Sequence, residues 1–176
     1  MVMNKKDFSR NCLSQAYIEL LEERDTDDIS IQDIVDKAGF SRMAYYRNFK
    51  SKTEMIDWAL DNLFDNYIKE SKISFTKMGP ECFSQSLYKF LASDEMVKYA
   101  RLLAKHHMVG LLYDQFIKHT QGGFIPNQTH YFYDFMAGGF FSVFMSWVLG
   151  GMKETPEQMA EGTAKFFTQY TKNKSA

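Results

Sequence analysis

The residues best equipped to do chemistry fall in one window. Between Lys37 and Lys52 the chain carries five cations, Lys37, Arg42, Arg47, Lys50 and Lys52, and no acid. Residues 1–72 hold 11 Lys and Arg against 14 Asp and Glu, so the window is a basic island in an acidic segment. Cations at this density suit phosphate recognition. Duplex DNA offers about one charge per 1.7 Å of axis, and a local cluster engages it even when the whole molecule is nearly neutral. Here the net charge is −1. Other chemistries find no support. There is no nucleophile–base pair, phosphate-binding loop or dinucleotide fingerprint, so no enzyme is expected. The four histidines and two cysteines do not fall at metal-ligand spacing, and adjacent His106 and His107 point to different faces. No metal and no cofactor is expected.

The elements that must position the window are helices. Leu13, Ala16, Tyr17, Leu20 and Leu21 recur at helical spacing and predict an amphipathic helix over 5–24. Ser30 caps a second helix with Ile31, Ile34, Val35 and Ala38 inward, and Gly39 ends it. Ser41 caps a third, short helix reaching Asn48. Ser51-Lys-Thr-Glu54 is a capping box that opens a long helix striped by Ile56, Ala59, Leu60, Leu63, Phe64 and Tyr67. Met78-Gly79-Pro80 is a break, and further helices are expected at 80–92, 94–119, 127–149 and 156–172. No alternating strand pattern appears. The expectation is an all-α chain of 176 residues, with hydrophobic residues at 45%. With no apolar leader after Met1–Lys6 and two isolated cysteines, a reducing cytoplasm is expected.

Two short helices joined by Ala38-Gly39-Phe40-Ser41, with cations on and just after the second, form a helix-turn-helix pattern. The string ISIQDIVDKAGFSRMAYYRNFKSKTEMI, with Ala-Gly-x-Ser, Tyr-x-x-Phe and x-Ser-Lys-x-Glu at matching intervals, resembles the DNA-binding region of the TetR/AcrR family of bacterial transcriptional regulators. The likeness covers about residues 8–68. It implies an N-terminal helix-turn-helix DNA-binding head over 1–50, a linking helix over 51–70, and a C-terminal helical ligand-binding and dimerisation domain over 71–176. It also implies roles. Tyr46 and Lys52 take phosphate contacts. Ser30 and Gln32 touch backbone or a base. Ser41, Arg42, Met43, Ala44, Arg47 and Asn48 form the reading surface, with Arg42 suited to a bidentate guanine contact and Met43 and Ala44 to a thymine methyl. Three positions depart from the family pattern: Phe40, Met43 and Tyr45, the last expected to pack inward.

The second half is a different object. Between Lys118 and Lys153 the only formal charge is Asp134. Helix 127–149 is apolar nearly all round, which leaves a core helix, a membrane span or an interface. Gly138, Gly139, Ser142 and Ser146 favour an interface, since small residues let a partner helix approach, and Met159, Phe166 and Tyr170 line one side of the last helix. The resemblance implies that these two helices pair with their symmetry mates in a homodimer. A two-fold dimer also sets two reading helices about 34 Å apart, matching successive major grooves of a palindromic operator. Met96, Tyr99, Leu103, His106, His107, Tyr113 and Phe116, facing Phe132, Phe135, Met136 and Phe140, suit either a pocket for a small hydrophobic or aromatic effector or plain core. The functional expectation is therefore a repressor released by such a ligand. The alternative is an activator or coregulator whose second half docks a protein partner.

Overall fold

A computed structural model of the chain describes residues 4–70, 79–120 and 129–172. Among these the secondary structure is helical: α1 (Lys5–Glu23), a 3-10 turn (Thr26–Asp28), α2 (Ile31–Ala38), α3 (Arg42–Asn48), α4 (Lys52–Glu70), α5 (Pro80–Leu91), α6 (Asp94–Lys105), α7 (Val109–Thr120), α8 (His130–Leu149) and α9 (Pro156–Lys172). The all-α expectation holds. The long helix expected over 94–119 is two helices. Lys105 ends α6, His107 takes a left-handed backbone (φ 57°), and the Met108 amide closes the turn on the Leu103 carbonyl at 2.8 Å. No Pro or Gly marks this break, because the turn contains only histidines and a methionine. The loop around Gly122-Gly123 and Pro126 lies outside the described residues.

The chain divides into two compact units. The first comprises residues up to Leu63 together with Leu102–Leu112. Its core joins Leu13, Tyr17, Leu20 and Leu21 of α1, Ile34 and Val35 of α2, Tyr45 of α3 and Met55, Ile56 and Leu60 of α4. Leu102, Leu103 and Leu112 are buried as well. The α6–α7 corner meets the end of α1, where the His106 Nε2 lies 2.7 Å from the Leu21 carbonyl and the Lys105 Nζ donates to the Glu22 carbonyl at 3.2 Å.

The second unit comprises Phe64–Arg101 and the chain from Tyr113 onward. Aromatic rings fill it: Phe64 lies edge-on to Phe90 and Phe116, Phe116 stacks on Phe144, and Tyr88 lies edge-on to Trp147. The α8–α9 turn is fixed by the Trp147 Nε1 donating to the Glu154 carbonyl at 3.0 Å. Gly150 is obligatory there, because a Cβ would stand 2.7 Å from the Ser146 carbonyl oxygen. Helix α8 has the length and apolarity of a membrane span, but its Met136 and Phe140 pack with Phe83 in the core of this unit.

Candidate nucleic-acid interface

The local geometry of α2 and α3 follows from their caps. The Ser30 Oγ accepts from the Asp33 amide at 3.1 Å, and the Asp33 carboxylate accepts from the Ser30 amide at 2.8 Å, a reciprocal box that satisfies two orphan donors. These hydrogen bonds hold the Asp33 carboxyl below the usual carboxylate range. Gly39 sits at φ 71°, where a side chain would strain the backbone, and the Phe40 amide returns to the Val35 carbonyl at 2.9 Å. After this turn the Ser41 Oγ accepts from the Ala44 amide at 3.2 Å and starts α3.

Helix α3 has two faces. Tyr45 is buried, as expected for a residue turned inward, with its ring edge-on to Tyr46. Burial raises its phenol pKa. Outward stand Ser41, Arg42, Met43, Tyr46 and Arg47, with Met43 68% and Tyr46 57% exposed. Large side chains left this open on a short helix are available for contact. The Arg47 Nε donates back to the Met43 carbonyl at 3.4 Å, which sets its guanidinium beside Met43. Ala44 and Asn48 are half-buried, and the Asn48 amide group donates to the Ala44 carbonyl at 2.8 Å. At α2, Ser30 is engaged in its cap and the Gln32 Nε2 donates to the Asp36 carboxylate at 2.7 Å. Both remain on the exposed side.

The five cations of the window do not share one situation. Arg42, Arg47 and Lys50 are exposed. Lys37 pairs with Glu19 at 3.2 Å. The Lys52 Nζ donates to the carbonyl oxygens of Thr26 and Ile29, the latter at 2.9 Å. Sequence reasoning missed Arg10. Its guanidinium lies over the rings of Phe49 (5.0 Å) and Trp58 (5.6 Å), donates to the Asn48 carbonyl at 3.3 Å, and faces Glu54 at 3.6 Å. It therefore closes the C-terminal end of α3 onto α1 and α4. A cation 38 positions from its partner gives no spacing signal.

The residues expected to line a ligand pocket are divided between the two units. Leu103, His106 and His107 belong to the first unit, where His106 faces the Leu21 carbonyl and Asp25 (3.4 Å from Nδ1) and His107 is exposed. In the second unit Met96, Tyr99 and Phe116 are buried core, and burial drives the Tyr99 phenol pKa far up. Tyr113 is half-buried with its ring edge-on to Phe141. Phe132 packs against the Phe83–Met136–Phe140 cluster. Phe135 is 72% exposed.

The residues expected at a dimer contact lie nearer one another. Gly139, Ser142 and Ser146 are exposed on α8, and Gly138 is half-buried beside Tyr113. Phe166 is exposed on α9 and Met159 half-buried, while the Tyr170 side chain lies outside the described residues. Phe135, Met136, Gly139, Phe140, Val143, Met159 and Phe166 together line one apolar groove of about 430 Å³, floored by Tyr88 and Thr163. The Thr163 hydroxyl donates to the Tyr88 oxygen at 3.1 Å.

Comparison with known proteins agrees with this geometry. Residues 15–58 match the family model for bacterial regulatory proteins of the tetR family, and residues 81–169 match that for a transcriptional regulator C-terminal region of TetR type. The chain belongs to the TetR family. No curated protein sequence matches it significantly. Among solved structures it is similar to AlkX from a Dietzia species, a TetR family repressor implicated in n-alkane biodegradation, at 18% identity and TM-score 0.56, covering 93% of this chain and 95% of that one. It is similar to the dihydroxyacetone kinase operon activator DhaS at 15% identity and TM-score 0.59, covering 93% and 96%. It is also similar to the fatty acid degradation regulator FadR from Bacillus halodurans at 12% identity and TM-score 0.55, covering 94% and 95%. These likenesses concern the fold. The protein is a TetR family DNA-binding regulator of helix-turn-helix type.

Proposed function

We propose that this TetR family regulator is a homodimeric repressor of a palindromic operator and that a small hydrophobic or aromatic ligand releases it. One observation carries the DNA-binding part. Helix α3 presents Arg42, Met43 and Arg47 outward, and Arg42 has no partner among the described residues. In this reading α3 enters the major groove with Arg42 at a guanine edge and Met43 at a thymine methyl, while Tyr46 and Lys52 meet phosphates. Residues 1–50 bind DNA, 51–70 link, and 71–176 provide the dimer contact and the effector response.

The dimer contact is supported by α8. Tyr131, Phe135, Gly139, Ser142, Ser146 and Leu149 follow one another every three or four residues, and they and the neighbouring Val143 are all exposed. A continuous apolar and small-residue stripe beside exposed Phe166 is more than a monomer ordinarily leaves in water. Release then follows from population shift. A ligand frees the operator to the extent that it binds the DNA-incompetent arrangement more tightly than the competent one.

One observation favours a second reading, in which the C-terminal half docks a protein partner. Met96, Tyr99, Phe116 and Phe144 are closed core rather than the walls of an open cavity. Denaturing the purified protein, extracting it with organic solvent and running mass spectrometry separates the two. A stoichiometric small molecule supports the ligand-released repressor, and a blank supports the docking reading. For the head, selection from a random duplex library followed by anisotropy titration tests the primary reading. Enrichment of an inverted repeat is expected, and binding that fails to weaken with salt would overturn a phosphate-driven head.

A further inference from the structure

We infer that Arg10 is a positioning residue for DNA recognition. From a helix outside the helix-turn-helix, and together with Glu54, it fixes the direction in which α3 is offered to a duplex. The inference rests on the reading of α2–turn–α3 as the DNA-binding element and deepens it.

Three observations carry it. Helix α3 has seven residues, too few to hold its own course, so its direction is set at its two ends. The leading end is tied to α2 through the Gly39 turn and the Ser41 cap. At the trailing end the Asn48 carbonyl, a last-turn oxygen without a helical partner, accepts from the Arg10 Nη2 at 3.3 Å. Next, Arg10 is itself held in place. Its guanidinium lies 5.0 Å from the centroid of Phe49, which is buried, and 5.6 Å from that of Trp58, and these two rings meet edge-on. A planar cation against two aromatic rings keeps its orientation. Finally, Glu54 ties the same joint from α4. One carboxylate oxygen faces the Arg10 Nη2 at 3.6 Å, and the other accepts from the Lys50 amide at 2.6 Å. Residues of α1 and α4 thus grip both sides of residues 49–51, the joint on which α3 turns.

Stability alone is poorly served by this arrangement. The Arg10–Glu54 pair is partly solvated, and the Arg10 Nε is buried without a hydrogen-bond partner. Recognition is served, because Arg42, Met43 and Arg47 stand outward on the helix that the grip directs. If loss of Arg10 leaves α3 in its reading direction about one-tenth of the time, the apparent dissociation constant rises about tenfold.

Arg10→Met, Arg10→Lys, Glu54→Gln and the double variant Arg10→Met/Glu54→Gln are compared with the unaltered protein. Anisotropy on a duplex selected from a random library is read at four salt concentrations. Ile18→Val, a core change on α1, serves as the control for stability alone. Circular dichroism and thermal melts verify folding, and amide exchange is followed at Phe49 and, as reference, at Asp33. Arg10→Met is expected to bind about tenfold more weakly at every salt, with the slope of log K against log salt unchanged. Exchange quickens at Phe49 and not at Asp33. Arg10→Lys keeps the charge without the planar fork and recovers only part of the loss. The double variant binds no more weakly than Arg10→Met, because both changes open one grip. Ile18→Val melts lower and binds normally. Full affinity in Arg10→Met overturns the inference, as do losses that multiply in the double variant. Equal quickening at both amides, with Ile18→Val weakened alike, makes Arg10 a general stabiliser. A slope reduced by about 0.9 in Arg10→Met and restored in Arg10→Lys makes it a phosphate contact, and either result overturns the inference. Should Arg10→Met not fold, Arg10→Lys and Glu54→Gln carry the same comparison. If the unaltered protein binds no duplex, the DNA-binding reading itself fails, an outcome distinct from all of these.

Discussion

Replacing Phe135 by serine tests the proposed dimer where the structure makes its strongest demand. Phe135 stands 72% exposed on α8. A phenylalanine presents about 150–250 Å² when fully accessible, so about 145 Å² of each ring is open to water. Covering that area at about 25 cal/mol per Å² gives about 3.6 kcal/mol per protomer, twice over in a symmetric pair. Only part of this appears as affinity, because association costs translational freedom and side-chain ordering. A rise in the dimer dissociation constant of at least about 100-fold, near 2.7 kcal/mol, is a conservative expectation. The side chain is not part of the folded core, so the variant retains its helical spectrum and its melting transition measured on the monomer. Sedimentation equilibrium over a wide concentration range reads the constant directly, with Glu95→Ala as an exposed control on α6. A dimer as tight as the unaltered one would place the contact elsewhere and refute the argument from the open stripe. Equal weakening by Glu95→Ala would refute it too.

Further outcomes follow from the caps, the tyrosines and the reading face. Ser30→Ala removes one half of the capping box and costs about 1 kcal/mol, seen as a melting point lower by about 2–4 °C at neutral pH. Because the Ser30 hydrogen bonds depress the Asp33 pKa in the fold, their contribution is complete above the unfolded carboxylate range near about pH 3.9 and is lost as pH falls through the lower folded value. The gap between the two proteins therefore narrows in acid, and a gap independent of pH would count against the box. Burial raises the pKa of Tyr17, Tyr45, Tyr88 and Tyr99. Their stabilising effect is intact below the ordinary phenol pKa of about 10 and is lost as pH climbs toward the raised folded values. Absorbance at about 295 nm, the phenolate band, is expected in two steps, the later one coinciding with loss of helix; full ionisation with the helix intact would contradict the burial of these rings. Arg42→Ala narrows discrimination between the selected site and single-base variants by about 1–3 kcal/mol at one position, and a uniform loss on all duplexes would remove Arg42 from the reading face.

Much of the head is legible in the sequence because its signals are local. Ser30, Gly39, Ser41 and Ser51 each act within four residues, and each sits at a helix boundary in the structure; the Glu54 carboxylate, expected to return to the Ser51 amide, accepts from the Lys50 amide instead. Tyr45 reads as inward from its place in the motif and is buried. What the sequence hides is everything set by distant partners. Arg10 meets Asn48 and Lys52 meets Thr26 across 38 and 26 positions, and no periodicity encodes such pairs. The second half is harder for another reason. In α8 the apolar residues run all round, so pattern cannot separate Phe140, which is buried, from Phe135, which is open. The Met and aromatic residues suited to a pocket and the small residues suited to an interface alternate on α8, and the groove of α8 and α9 draws on both sets. The α6–α7 break was missed because helix-breaking residues did not cause it. Packing of the corner against α1 holds His107 in a left-handed turn that the local sequence does not favour.

The basic island also changes meaning once the fold is known. Counted along the chain, five cations form one field. In the folded unit Lys37 faces Glu19 and Lys52 faces two backbone carbonyls, which leaves Arg42, Arg47 and Lys50 outward. The Lys37 pair is partly solvated and adds little to stability, but it draws the ammonium toward α1. Lys52 acts on the turn before α2 and Arg10 on the C-terminal end of α3, places where carbonyls lack helical partners. Two of the five cations of the window are therefore spent on contacts within the folded unit, and three remain exposed. Placement is what distinguishes these cations, since Lys50 and Lys52 have the same side chain two residues apart. One extends into solvent and the other turns inward because Ser51 begins a new helix between them, rotating successive side chains onto different faces.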